Sequence, residues 1–169
     1  MAEFVTKALA KHHDRGAFRC GVEELDSYLR QQAGQDIKRR AAAVFVMCPT
    51  VEAGKIAGYY TLCSASVKLS AIPESRRKRL ARYPDVPAIL IGRLARDVDF
   101  PGIGAKLLAD AFARSLRVAD EIAATVVLVD AKNERARKFY KAFGFETVQN
   151  SAKRMYIPLK TVSDAIGRG

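Results

Sequence analysis

The chain has 169 residues, 49% of them hydrophobic and 28% charged, a composition that fits one globular domain and excludes a disordered chain. No apolar run approaches the roughly 20 residues of a membrane-spanning helix, and the opening MAEFVTKALAKHHDRGAF has no apolar stretch long enough for a secretion signal, so a cytoplasmic protein without a membrane partner is expected. Lys and Arg number 29 against 18 Asp and Glu, and a net charge of +11 implies attraction to a polyanion such as nucleic acid, cofactor phosphates or an acidic partner.

The first stretch carries the two histidines, His12 and His13, which read as part of a surface loop or strand edge rather than as ligands. Cys20, Cys48 and Cys63 are odd in number and lack C-x-x-C spacing, so they read as small buried residues, with neither a disulfide framework nor a metal site. From Val22 to Arg40, Leu25, Leu29 and Ile37 recur at helical spacing and predict one or two amphipathic helices. Ala41–Cys48 and Lys55–Val67 are apolar runs joined by the turn PTVEAG, which predicts an antiparallel pair of strands. Of the adjacent Tyr59 and Tyr60, one should face the core and the other an acceptor slot. Ser70 can cap a helix that has Pro73 in its first turn and runs to about Arg82, after which the prolines at 84 and 87 demand extended chain.

Ala88–Ala95 then predicts a central strand, and Gly102-Ile103-Gly104 opens a helix with Leu107, Leu108, Ala111, Phe112, Ser115 and Leu116 on its apolar stripe. Ala124–Val129 predicts a strand buried on both faces, Asn133–Phe143 a short helix with Gly144 at its left-handed end, and Phe145–Val148 and Arg154–Leu159 the closing strands. No repeat, low-complexity tract or linker interrupts the chain, so residues 1–169 are expected to form a single domain.

A glycine turn between strand and helix lets a phosphate approach bare backbone amides, and Gly102-Ile103-Gly104-Ala105-Lys106 meets that requirement. A second strand follows, ending in Asp130-Ala131-Lys132-Asn133 and leading into Ala136-Arg137-Lys138-Phe139-Tyr140-Lys141-Ala142-Phe143-Gly144-Phe145. In that order the motifs resemble the GNAT superfamily of acetyl-CoA-dependent N-acetyltransferases. The resemblance implies an α+β fold, with helices flanking a mixed central sheet whose two central strands splay apart as a slot for acetyl-CoA, used as acetyl donor without a metal. By the same resemblance Leu94 and Ala95 present strand backbone to the pantetheine arm, and Gly102, Ile103, Gly104, Ala105 and Lys106 cradle the pyrophosphate. Asn133, Ala136 and Phe139 line the CoA channel, and Tyr140 stands beside the thioester as catalytic general acid. Asp99 departs from the family pattern, which usually has Gln or Arg there; either it points away or Arg96 and Lys106 offset its charge.

Over nearly the whole chain, through the phrases LSAIPES, YPDVPAILIGRLARD and FYKAFGF, the sequence is similar to the acetyltransferase toxins of type II toxin–antitoxin modules. That likeness implies acetylation of the α-amine of aminoacyl-tRNA, inhibition of translation, a ribbon-helix-helix antitoxin and a homodimer. The chemistry agrees: a phenol of pKa about 10 is a ready acid for a departing thiolate, and an α-amine titrating near about 7.7–8.0, lower still as an ester, needs no strong base. Five positive charges in the seven residues 76–82 (Arg76, Arg77, Lys78, Arg79 and Arg82), with Lys38, Arg39, Arg40 and Arg93, are candidates for tRNA phosphates. A second basic cluster, Lys132, Arg135, Arg137, Lys138 and Lys141, could serve cofactor, tRNA or antitoxin. An N-acetyltransferase of small amines or protein N-termini, and a catalytically silent nucleic-acid or antitoxin-binding module, are the alternatives.

Overall fold

Alternation of β-branched and aromatic residues builds the sheet that organises this protein, seen in a computed structural model that describes residues 3–167. Strand order by hydrogen bonding is β1-β2-β3-β4-β5-β7-β6, a seven-stranded mixed sheet. The chain forms two compact units, one of residues up to Cys63 with Gly92–Ala111, the other of Ser64–Ile91 with the residues from Phe112 onward.

In the first unit β1 (Phe4–Ala8) pairs antiparallel with β2 (Ala43–Pro49), which pairs antiparallel with β3 (Gly58–Lys68), as the turn PTVEAG predicts. The helical segment breaks into α1 (Glu23–Ser27), a π-helical turn (Tyr28–Gln32) and α2 (Ala33–Lys38). Two-residue periodicity sends Tyr59 and Tyr60 of β3 to opposite faces, and helices cover both. Tyr59 packs edge-on to Phe18 and donates from its hydroxyl to the Leu25 carbonyl at 2.7 Å. Tyr60 lies against Phe45 and donates to Asp110 Oδ2 at 2.5 Å. Both rings are fully buried, which corrects the expectation that one of them faces an open slot.

β4 (Asp85–Arg96) belongs to the second unit up to Ile91 and to the first beyond it; its second-unit part runs parallel to β5 (Val126–Asp130) from Ala88↔Val126 to Ile91↔Val129, where the register ends. A parallel pair needs a crossover, supplied by α4 (Gly104–Glu121). β5 pairs antiparallel with β7 (Arg154–Pro158), and β6 (Glu146–Thr147) adds to β7. Val126, Val127, Leu128 and Val129 are all 0% exposed, as an unbroken apolar strand requires. α5 (Glu134–Ala142) follows β5, and α6 (Leu159–Ala165) follows β7. Among the described residues no helix is long and apolar enough to cross a membrane.

Several expectations need correction. The helix beginning near Pro73 is only α3 (Glu74–Arg77), Pro73 stands at its N-cap without a side-chain bond, and Ser70 lies in a separate 3-10 turn (Leu69–Ala71). Neighbouring Arg76, Arg77, Lys78 and Arg79 put like charges one turn apart, which disfavours extending the helix. His13 is buried rather than on the surface. Its Nδ1 accepts from the Ala10 amide at 2.9 Å, and burial, then the adjacent His12, lower its pKa. Cys48 is buried, whereas Cys20 and Cys63 are only half-buried thiols.

Gly144 ends α5 with φ of +98°. A Cβ there would also come within 3.2 Å of Ile157 Cδ1. Gly144→Ala is therefore expected to destabilise the fold by about 1–2 kcal/mol, read as a lower urea midpoint with unchanged slope.

Candidate active site

The first unit holds the predicted glycine turn, and a buried carboxylate shapes it. Asp97, directly after β4, is 3% exposed. Its Oδ1 accepts from the Asp99 amide at 2.9 Å and its Oδ2 from the Arg19 amide at 3.0 Å. Its own amide donates to the Ala57 carbonyl at 2.8 Å, and its carbonyl accepts from Phe100 N and Arg96 Nη1. Burial of a carboxylate without such donors would cost several kcal/mol, so these bonds and the turn form together. Asp99, the departure from the family pattern, is exposed and uses its backbone amide in this network.

Beyond the turn Gly102 has φ of +88°, a conformation suited to glycine, and a Cβ placed there would meet nothing within 4 Å. Ile103 is buried, and its carbonyl receives the Leu107 amide as α4 begins. Gly104, Ala105 and Lys106 form the first turn of α4, which carries no acidic residue, so its free amides face no competing carboxylate of their own helix. Lys106 Nζ lies 5.3 Å from the centroid of the Phe4 ring. Leu94 is half-buried and Ala95 buried at the end of β4.

The second unit holds the other predicted half. Asn133 caps α5, its Oδ1 accepting from the Ala136 amide at 2.9 Å, so this side chain starts the helix that carries Tyr140. Ala136 and Phe139 are half-buried. Tyr140 is 7% exposed and packs edge-on to Phe139 and to Phe145, each at 5.3 Å. Burial, and secondarily the charge of Asp130, push its phenol up to about 12. Asp130 is held in turn by a bidentate bond from Arg154, Nε to Oδ1 and Nη2 to Oδ2 both at 2.9 Å, which lowers its own pKa. Thus Leu94 through Lys106 assemble in one unit and Asn133 through Tyr140 in the other.

The basic residues divide by engagement. Lys38, Arg39 and Arg40 are exposed at the end of α2, with Arg40 at φ of +55°. Arg93 lies 3.5 Å over the Tyr28 ring, whose hydroxyl donates to Asp36 Oδ2 at 2.7 Å, so this cation has a structural partner that sequence reading did not supply. Arg76 pairs with Glu146 at 3.0 Å, and Arg77 donates to the carbonyls of Ile72 and Ser70 at 2.7 and 3.0 Å. Lys78 and Arg79 are exposed. Asp97 and the Asp130–Arg154 pair also escaped the sequence reading, although Asp97 closes the phrase RLARD, where a carboxylate before a turn is a natural acceptor. Among the described residues no group of three or more His, Cys, Asp or Glu side chains is placed to hold a metal.

No family model matches the sequence. A tRNA-acetylating toxin of Mycobacterium tuberculosis is 34% identical over 157 residues, covering 91% of each chain. A probable toxin TacT of Sinorhizobium fredii is 29% identical over 164 residues, covering 92% of this chain and 90% of that one. Among solved structures, AtaT complexed with acetyl-methionyl-tRNAfMet superposes with a TM-score of 0.88 at 26% identity, covering 97% of this chain and 99% of that one. AtaTR bound with acetyl-CoA superposes with a TM-score of 0.83 at 26% identity, covering 96% and 98%. The mixed sheet, the glycine turn after β4 and the Asn-capped helix after β5 define a GNAT-type acetyltransferase. Within that class the chain belongs to the tRNA-acetylating toxins.

Asp97→Ala strips acceptors from the Asp99 and Arg19 amides and is expected to cost about 2–4 kcal/mol, with Asp97→Asn, which keeps one acceptor, falling between it and the wild type in thermal denaturation.

Proposed function

We propose that this protein transfers acetyl from acetyl-CoA to the α-amino group of aminoacyl-tRNA, blocking translation as a toxin that a cognate antitoxin neutralises. Membership of the tRNA-acetylating toxins carries this reading, and a buried tyrosine in the helix after β5 gives it a chemical agent. The reading extends to a cytoplasmic site of action, a ribbon-helix-helix antitoxin and a homodimer. It treats residues 1–169 as one catalytic domain.

The residues fit the donor. Open space at Gly102 and unopposed amides at the start of α4 suit a pyrophosphate, with Ile103, Gly104, Ala105 and Lys106 around it. Leu94 and Ala95 would offer strand backbone to the pantetheine arm, and Asn133, Ala136 and Phe139 would serve as CoA-channel residues of the second unit. Acetyl-CoA supplies an activated thioester, so the remaining work is to keep the amine neutral and to stabilise the departing sulfur.

Tyr140 performs the second task. Its pKa of about 12 keeps it a neutral donor throughout the physiological range. Full proton transfer to a thiolate whose thiol titrates near about 8.5 is uphill from such a phenol, so Tyr140 acts chiefly as a hydrogen-bond donor while the C–S bond breaks. As nitrogen becomes an amide it releases one proton, and sulfur leaves as a thiol, so the proton count closes. Phe139 and Phe145 hold the ring and exclude water around it. Lys38, Arg39, Arg40, Lys78 and Arg79 are the exposed cations for the tRNA backbone, and Arg93 adds positive potential while stacked on Tyr28.

Tyr140→Phe is expected to lower the turnover of charged tRNA by about 10²–10⁴-fold while acetyl-CoA binding by calorimetry and the melting temperature stay near wild type. Undiminished transfer by that variant would refute the role. In the wild type, activity should rise with pH as the amine loses its proton, and no fall due to Tyr140 should appear below about pH 10, because an acid with a raised pKa fails only as pH approaches about 12.

A further inference from the structure

The basic run after β3 contains cations that the fold engages and cations that it leaves open. Ile72 and Leu80 bracket the segment, and both sit in the same buried cluster with Val67, Val86, Val126 and Tyr156. The Ala71 carbonyl accepts from the Gln149 amide at 2.8 Å, a further tie at its beginning. The residues between these anchors form a strap fastened at both ends.

Within the strap Arg77 is half-buried, and its two donated bonds hold the Ser70 carbonyl of the preceding 3-10 turn and the carbonyl of Ile72, the extended residue after that turn. Arg76 reaches Glu146 Oε1, while Glu146 Oε2 accepts from the hydroxyl of fully buried Tyr156 at 3.0 Å, so a core residue positions the carboxylate that takes this cation. Lys78 and Arg79 are exposed and have no ion-pair partner among the described residues. Four adjacent cations therefore have three different electrostatic environments.

Resting on the reading that charged tRNA is the substrate, we infer that the strap presents Lys78 and Arg79 to RNA phosphates, while the Ser70 and Ile72 carbonyls retain Arg77 as a positioning residue and Glu146 competes with RNA for Arg76. An ion pair as exposed as Arg76 with Glu146 is weak enough for RNA phosphate to displace, so Glu146 lowers the contribution of Arg76 without abolishing it. A fastened strap loses little entropy on binding any partner, but a flexible acidic peptide would have to order its own chain whereas a duplex end is already stiff, which favours the phosphate-dense duplex end.

The test measures equilibrium binding of purified tRNA by fluorescence anisotropy, with acetylation of charged tRNA in parallel, between about 50 and 200 mM salt. Lys78→Met with Arg79→Met should flatten the plot of log affinity against log salt by about 1.4–1.8. Glu146→Gln should steepen it by releasing Arg76, and its amide oxygen can still accept from Tyr156. Arg77→Met should leave the slope unchanged and lower the melting temperature, with Arg77→Lys as the milder variant should Met prevent folding. A wild-type slope in the double variant, or a flattened slope in a folded Arg77 variant, overturns the inference. So does a double variant that keeps its tRNA slope and loses only a poly-glutamate peptide, which would make the strap a site for an acidic polypeptide. If the slopes divide as expected while no charged tRNA is acetylated, the strap assignment stands and the substrate reading fails; acetylation with undivided slopes gives the reverse.

Discussion

A carboxylate sealed from water at the end of β4 is the constraint on which much of this structure rests. Backbone amides satisfy the buried oxygens of Asp97, and those amides belong to two segments far apart in sequence, the Arg19 region and the turn that follows the strand. The requirement ties the N-terminal region to the turn and fixes the path by which the chain reaches Gly102 and α4. The carboxylate is taken up by the backbone ahead of α4, whose first turn, Gly104, Ala105 and Lys106, carries no acidic residue of its own.

The other half of the chemistry follows from burial. Aromatic neighbours remove Tyr140 from water, and a phenol in such surroundings resists ionisation more than one in solvent. Under the proposed mechanism the consequence is a poorer proton donor in the thermodynamic sense, so that Tyr140 would serve by hydrogen bonding rather than by full proton transfer. An ester-linked α-amine needs little help to become neutral. The division of labour thus agrees with a chain whose two histidines lie in its N-terminal stretch and whose candidate acid is a single tyrosine.

Much of this was legible in the sequence because local rules and packing agree. The apolar run at 126–129, the helix that opens at the glycines 102 and 104, the short helix from about Asn133 and Gly144 at its left-handed end follow from local rules, and the structure forms each of them. What escaped is set by distant partners. Strand β1 is short and alternates weakly, so its identity comes from pairing with β2. Helix α6 starts at Leu159, directly after β7, with Pro158 as both the last strand residue and the N-cap. Asp97, Arg154 and the partner of Arg93 depend on contacts that no spacing rule reveals. The basic run misled for the opposite reason: a Ser-to-Pro start predicted a long helix, and charge repulsion with anchoring at Ile72 and Leu80 ended it after Arg77. The sequence also could not show that Arg76 and Arg77 already had partners.

The adjacent tyrosines of β3 have a consequence for how the sheet chooses its alignment. Each ring is apolar enough to fit either side, so hydrophobic packing alone would tolerate exchanging them. Their hydroxyls would not, because Tyr59 finds a backbone carbonyl at Leu25 and Tyr60 finds the carboxylate of Asp110. A shift of β3 by one residue against β2 would turn every side chain over, strand both phenols without acceptors and leave Asp110 without this donor. Two polar tips a single residue apart thus act as a keyed fitting, making the slipped arrangement costly even where its greasy surfaces would match.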